Sequence, residues 1–196
     1  MQATGGASLT GDAQQSTAEG RRRVGVLLAV AAVVLALDQL SKILAVARLT
    51  DGRVVEVLDG ILQLRLVRNP GAAFSFATDM TVVLTVVAAA VVVVILRLSR
   101  RLTSVPWAVA LGGLLGGALG NLTDRALREP APLRGHVIDF LELPNFPVFN
   151  LADSAIVGSA ILVAWLSLRG VTYDGSLPPG DRPDDGSVSG PERVDG

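Results

Sequence analysis

Cysteine is absent from this 196-residue chain, and histidine occurs once, as His136. The first absence excludes a disulfide framework, a thiolate metal site and a cysteine nucleophile. The second excludes a histidine-cluster metal centre, and a Ser-His-Asp triad could be built only around His136. Lysine is scarce too: Lys42 stands alone among 17 basic residues. Charge of either sign is thin at 18% of the chain, where a soluble domain carries about 25%. Carboxylates and hydroxyls are the chemistry that remains, and no cofactor is implied.

Apolar side chains are abundant, at 50% of the residues. The polar residues gather at the ends. Residues 1–20 and 174–196 are rich in Gly, Ser, Asp and Pro, and the second segment holds six acids against Arg182 and Arg193. Such segments cannot bury enough apolar surface to order themselves, so both read as disordered. Residues 21–173 are too apolar for a water-soluble core and read as one multi-span membrane domain. Four apolar stretches, near 24–45, 81–98, 105–122 and 151–168, approach the roughly 20 residues that cross about 30 Å of hydrocarbon. The second is almost pure Val, Ala and Leu and reads as lipid-facing. The third carries Gly112, Gly116 and Gly120, and also Gly113 and Gly117. G-xxx-G pairs let helix backbones approach closely, which predicts the third helix at the centre of the bundle.

Arg21, Arg22 and Arg23 precede the first span, and Arg97, Arg100 and Arg101 lie between the second and third. The excess of arginine places both regions, and both termini, in the cytoplasm. Residues 46–80 and 123–150 are then outside. The opening arginines, an apolar run and Ala45-Val46-Ala47 imitate a cleavable signal peptide. Asp38, Gln39, Ser41 and Lys42 interrupt that run, so the first span is expected to stay.

The outer segment at about 48–79 reads as β structure. Residues 54–58 and 61–67 alternate in hydropathy around Asp59-Gly60, a two-residue hairpin signal. Leu62, Leu64 and Leu66 share one face. Residues 137–141 are a third strand candidate in the outer loop at about 123–150. The expected fold class is a membrane all-α protein with a small β part, made of four transmembrane helices and a small extracytoplasmic sheet.

Ionisable groups at membrane depth are costly and mark function by default. Asp38 and Lys42 are four apart on one helix face, in range to pair. Asn121, Asp124 and Arg125 end the third span, and Asn150 and Asp153 begin the fourth at the same level. A local pair of Asp124 with Arg125, and a helix cap for Asp153, are the structural readings. Asp139, flanked by Ile138 and Phe140, is harder to explain as structure, because a lone buried carboxylate must be paired or protonated. Asp124, Asp139 and Asp153 therefore converge near one interface. Two close carboxylates share a proton and supply one base and one acid, enough to hydrolyse an amide without metal, thiol or imidazole. Three other readings compete. A proton-coupled transporter would want acids near the midplane. A Ser41/Lys42 protease fails because adjacent helical side chains diverge. A structural subunit dimerising through its glycines leaves the polar blocks unexplained.

The polar blocks have an order. Asp38-Gln39-Leu40-Ser41-Lys42, Asn69-Pro70-Gly71-Ala72-Ala73-Phe74-Ser75, the run from Gly116 to Arg125, Val137-Ile138-Asp139-Phe140 and Phe149-Asn150-Leu151-Ala152-Asp153-Ser154 together resemble the lipoprotein signal peptidases (signal peptidase II). The resemblance implies an aspartic endopeptidase of the bacterial cytoplasmic membrane. Its substrates would be diacylglyceryl-modified prolipoproteins, cut just before the lipidated cysteine. It places the catalytic aspartates at Asp139 and Asp153, which are separated by 13 residues. Asp38, Lys42, Asn69, Gly71, Phe74, Asn121, Asp124, Arg125 and Asn150 correspond to supporting or substrate-binding positions. Contact with membrane lipid is expected, with no nucleic-acid partner, metal or cofactor, and an internal role for the small-residue face makes a monomer the expectation.

Overall fold

The structure, a computed structural model, describes residues 8–71 and 80–174. Four α-helices, α1 (Ser8–Leu49), α2 (Met80–Leu98), α3 (Val105–Leu127) and α4 (Leu151–Leu168), accompany three strands, β1 (Val54–Val57), β2 (Leu62–Asn69) and β3 (Val137–Glu142). Each helix contains a stretch long and apolar enough to cross a membrane. Two boundaries differ from the sequence reading. Helix α1 begins at Ser8 and so takes in residues assigned above to a disordered extension; Ala13, Gln14, Gln15, Ala18 and Glu19 are good helix formers. Helix α3 continues to Leu127, which carries Asp124 and Arg125 inside its last turns.

Helix α3 is central, as its glycines predict. Of its most apolar window 56% is buried, against 17%, 17% and 11% in α1, α2 and α4. The glycines form two stripes because positions four apart share a helix face. A Cβ on Gly112 or Gly116 would stand 2.7 Å from the carbonyl oxygen of Leu27 or Ala31 in α1. A Cβ on Gly117 would stand 2.6 Å from that of Ala152 in α4. Only hydrogen at these positions lets both neighbours touch the α3 backbone. The valines of α2 face outward: Val83, Val86, Val87, Val93 and Val94 are exposed. At the opposite end from the sheet, Trp107 Nε1 donates to Val171 O at 2.7 Å and its ring meets Tyr173 edge-on at 6.1 Å.

The strands pair antiparallel in the order β1-β2-β3. Leu64, Leu66, Phe140 and Leu141 pack on Ala45 and Leu49, which seats the sheet on the end of α1. The β1–β2 hairpin is present, but its connection is four residues, Leu58 to Ile61, not two, since pairing stops at Val57–Leu62. Leu58 and Asp59 take left-handed φ values of 52° and 53°, and Ile61 N donates to Leu58 O at 3.1 Å. Leu58 and Ile61 are exposed, so no packing draws them into the ladder. Between Leu64 and Val67 a bulge shifts the β2–β3 register and brings Val67 opposite Asp139.

Candidate active site

The polar residues of the helices meet at one end of the bundle, where α1 and α3 finish and α4 starts. Lys42 and Asp38 are both fully buried, and their 2.8 Å pair is the expected one across a helical turn. Lys42 Nζ also reaches Asp124 Oδ2 at 2.8 Å and donates to Asn121 Oδ1 at 3.0 Å. Asp38 Oδ1 accepts from the backbone N–H of Ala152 at 2.9 Å, which ties α1 to the first turn of α4. Gly120 makes room for this: a Cβ there would lie 2.5 Å from Asp38 Oδ2.

Asn150 links the two aspartates that the sequence singled out. It is the N-cap of α4, and its side chain accepts from Asp153 N at 2.9 Å while its own N–H donates to Asp153 Oδ2 at 3.2 Å. Its Nδ2 donates to Asp139 Oδ1 at 2.6 Å and also reaches Asn121 Oδ1 at 3.2 Å. Asn121 Nδ2 donates to Asp153 Oδ1 at 2.7 Å. Asp139 Oδ2 accepts from Asn69 Nδ2 at 2.7 Å, across the β2–β3 ladder. Asn69 is itself held by the N–H of Gly71, which donates to Asn69 Oδ1 at 2.8 Å. Gly71 has φ 112°, a left-handed value that suits glycine.

Asp139 is 2% exposed. Burial pushes its carboxyl up to about 6; the Asn69 and Asn150 hydrogen bonds pull the other way, and the nearby Asp153 charge adds to the rise. Asp153 is only half-buried and accepts a backbone N–H in the first turn of a helix, where the dipole favours a carboxylate. The two acids thus occupy unlike environments around one asparagine.

Asp124 departs from the sequence reading. Its partner is not Arg125 but Arg128, whose Nε donates to Asp124 Oδ1 at 2.6 Å, together with Lys42 and the N–H of Ile138. On a helix, residues four apart share a face and adjacent ones diverge. A third span ending at Leu122 leaves Arg128 among the outer-loop arginines, whereas the helix running to Leu127 places it one turn beyond Asp124. Arg125 points elsewhere. Its Nε is buried with no hydrogen-bond partner, while its charge is felt by Asp153, Asp139 and Asp124. It lines a cavity of about 210 Å³ between α2, α3 and α4, with Asn121, Leu84, Leu114 and Ile156. Gln39 was also missed as a site residue; its Nε2 donates to Asp38 Oδ2 and to Gly120 O, both at 3.1 Å. Phe74 lies outside the described residues. The structure therefore joins Asp38, Lys42, Asn69, Gly71, Asn121, Asp124, Asp139, Asn150 and Asp153 in one hydrogen-bonded network, with Arg125 beside it.

Four carboxylates in this network (Asp38, Asp124, Asp139, Asp153) face three cations (Lys42, Arg125, Arg128). One proton shared by the acids balances the cluster. A carboxylic acid beside a carboxylate is an arrangement suited to activating water against an amide.

Comparison with known proteins agrees in both sequence and shape. A family model described as Signal peptidase (SPase) II matches residues 30–169. The lipoprotein signal peptidase of Mycolicibacterium smegmatis is 50% identical over 173 residues, covering 87% of this chain and 73% of that protein. That of Mycobacterium avium is 54% identical over 153 residues, covering 78% and 84%. A solved structure described as a bacterial membrane enzyme superposes with a TM-score of 0.67 at 26% identity, over 74% of this chain and 94% of its own. The matched segment holds every residue of the polar network, and the chain belongs to the signal peptidase II family.

Proposed function

We propose that this multi-pass membrane protein removes signal peptides from diacylglyceryl-modified prolipoproteins, with Asp139 and Asp153 as its catalytic pair. Family membership supports the activity, and one observation carries the residue assignment. Asn150 touches both carboxylates, at 2.6 Å and 3.2 Å, in a network closed to every other acid but Asp38 and Asp124, which are occupied by Lys42. Nothing in the family match supports the transporter reading.

The environments suggest the division of labour. Asp153, half-buried in the first turn of α4, takes a proton from water, whose oxygen attacks the scissile carbonyl carbon. Asp139, buried and slower to ionise, gives its proton to the carbonyl oxygen as the tetrahedral intermediate forms. Asp153 then passes its proton to the leaving nitrogen as the C–N bond breaks, and the hydroxyl formed from the carbonyl oxygen returns its proton to Asp139, which restores the resting pair. The apolar cavity of Leu84, Leu114 and Ile156, ending at Asn121 and Arg125, suits the last turns of an apolar signal helix entering from the lipid. Lipid anchoring would hold the bond at the interface, which supplies orientation.

Arg21, Arg22 and Arg23 ahead of the first apolar span, and Arg97, Arg100 and Arg101 between the second and third, favour a cytoplasmic location for both termini and a site at the outer face of the bacterial cytoplasmic membrane. A small-residue face consumed inside the bundle favours a monomer.

The test is cleavage of a diacylglyceryl prolipoprotein by purified protein. Asp139→Asn and Asp153→Asn abolish turnover while lipidated substrate still binds, and Asp124→Asn keeps a residual rate. Near-wild-type turnover by Asp139→Asn with a dead Asp124→Asn would overturn the assignment and move the pair to Asp124 and Asp153.

A further inference from the structure

A second cavity, of about 530 Å³, lies across the sheet from the aspartates. Arg68 and Ile138 are register partners on β2 and β3, and both line it. Their neighbours in sequence, Asn69 and Asp139, take the other face because side chains alternate along a strand. The sheet therefore separates this cavity from the catalytic pair.

Its chemistry is mixed in a particular way. Arg68, Arg128 and His136 bring cationic and N–H donor groups, with Glu129 as the single acid among the described lining residues. Arg68 makes no ion pair or side-chain hydrogen bond among the described residues. Arg128 commits its Nε to Asp124 and leaves the rest of its guanidinium at the cavity, with the side chain 28% exposed. The remaining wall is apolar and sits at the ends of two spans: Val46 in the last turn of α1 and Leu127 as the last residue of α3. Leu127 is 81% exposed, a large apolar side chain left largely uncovered by the described residues.

We propose that this cavity binds the phosphodiester head group of an anionic phospholipid. A guanidinium presents paired N–H donors that match phosphate oxygens. Two of them, at the level where hydrocarbon gives way to head groups, hold the phosphate. Val46 and Leu127 meet the top of the acyl chains. The apolar rim distinguishes a lipid from free phosphate, which has no use for it. Glu129 and the two arginines leave an excess of one positive charge, so a head group with a cation of its own is disfavoured. The site rests on the membrane placement of the helices and is independent of which aspartates are catalytic.

The experiment is native mass spectrometry of the full chain, delipidated in neutral detergent. Phosphatidylglycerol, phosphatidylcholine and inorganic phosphate are titrated separately. One phosphatidylglycerol per chain is expected to bind at least about fivefold tighter than phosphatidylcholine, the effect of about one cationic side chain at a membrane surface. Arg68→Gln loses about that factor, Arg68→Lys retains most of it, and both cleave prolipoprotein in detergent at the wild-type rate. Equal binding of the two lipids, or wild-type lipid binding by Arg68→Gln, would overturn the proposal. Displacement of the lipid by inorganic phosphate at comparable concentration would also overturn it, in favour of a soluble anion site.

Discussion

Removing the charge of Lys42 tests whether the buried network holds the bundle together. Lys42 is fully buried between Asp38 and Asp124, 2.8 Å from each, and both acids are themselves 0% exposed. Lys42→Met keeps the length of the side chain and removes the charge. Breaking a buried pair from one side costs about 3–5 kcal/mol, because the carboxylate left behind stays desolvated. Two carboxylates are left here, but each keeps other donors: Asp38 has Ala152 N and Gln39 Nε2, and Asp124 has Arg128 Nε and Ile138 N. The total therefore falls in that range and does not double. For a chain of this size each kcal/mol moves Tm by about 2–4 °C, so a drop of about 6–20 °C is expected. Thermal unfolding in detergent, followed by tryptophan fluorescence, reads it. Lys42→Met/Asp124→Asn removes one orphaned charge and should recover about 1–3 kcal/mol relative to the sum of the single variants. A Tm within 2 °C or so of wild type, or strict additivity in the double variant, would refute the view that Lys42 neutralises these acids.

Other consequences are as direct. Asp139 ionises near 6 in the fold, above its ordinary 3.8. The proton needed for catalysis is therefore held below that pH and lost above it, and kcat/KM should show a descending limb beginning near pH 6; a profile that stays flat through that pH would contradict it. The same shift bears on stability: the fold favours the protonated acid, so wild type loses up to about 3 kcal/mol as pH rises from about 4 through about 6, and Asp139→Asn does not. Denaturant titrations at pH 4 and pH 7 measure this, and a pH-independent difference between the two proteins would contradict it. Gly120→Ala forces a methyl to within 2.5 Å of Asp38 Oδ2 and 3.2 Å of Ala152 Cβ; overpacking of about 1–3 kcal/mol and reduced turnover should follow, visible as a lower Tm. Asn150→Ala removes both the α4 cap and the donor to Asp139 Oδ1. A charged hydrogen bond is worth about 1.5–3 kcal/mol, so kcat should fall by about tenfold to about a hundredfold with a smaller change in stability; an unchanged kcat would remove Asn150 from the site.

Much of the molecule was legible before any coordinates. The four spans follow from apolar runs of bilayer length, because hydrocarbon forces each backbone amide to bond within its own helix. The centrality of α3 follows from glycines four apart, and the Asp38–Lys42 pair from one helical turn. These are local periodicities, and a sequence displays them directly. Asp139 stood out because a carboxylate in an apolar setting demands a reason, whereas Asp153 reads as a helix cap and is paired with it by the family resemblance.

Tertiary structure alone decided the partners. Asp124 lies beside Arg125 in the chain, yet it bonds Lys42 from another helix and Arg128 one turn on, since α3 runs to Leu127. That Asn69 reaches Asp139 across the ladder goes with a β-bulge that resets the β2–β3 register, and Asn150 meets both Asp139 and Asp153 from the cap of α4. The hairpin connection is four residues long because Leu58 and Ile61 stay exposed and no packing extends the pairing beyond Val57–Leu62. Composition and spacing state which groups a fold must accommodate. Which group answers which is fixed by helix rotation and strand register, and those are settled only when the whole bundle packs.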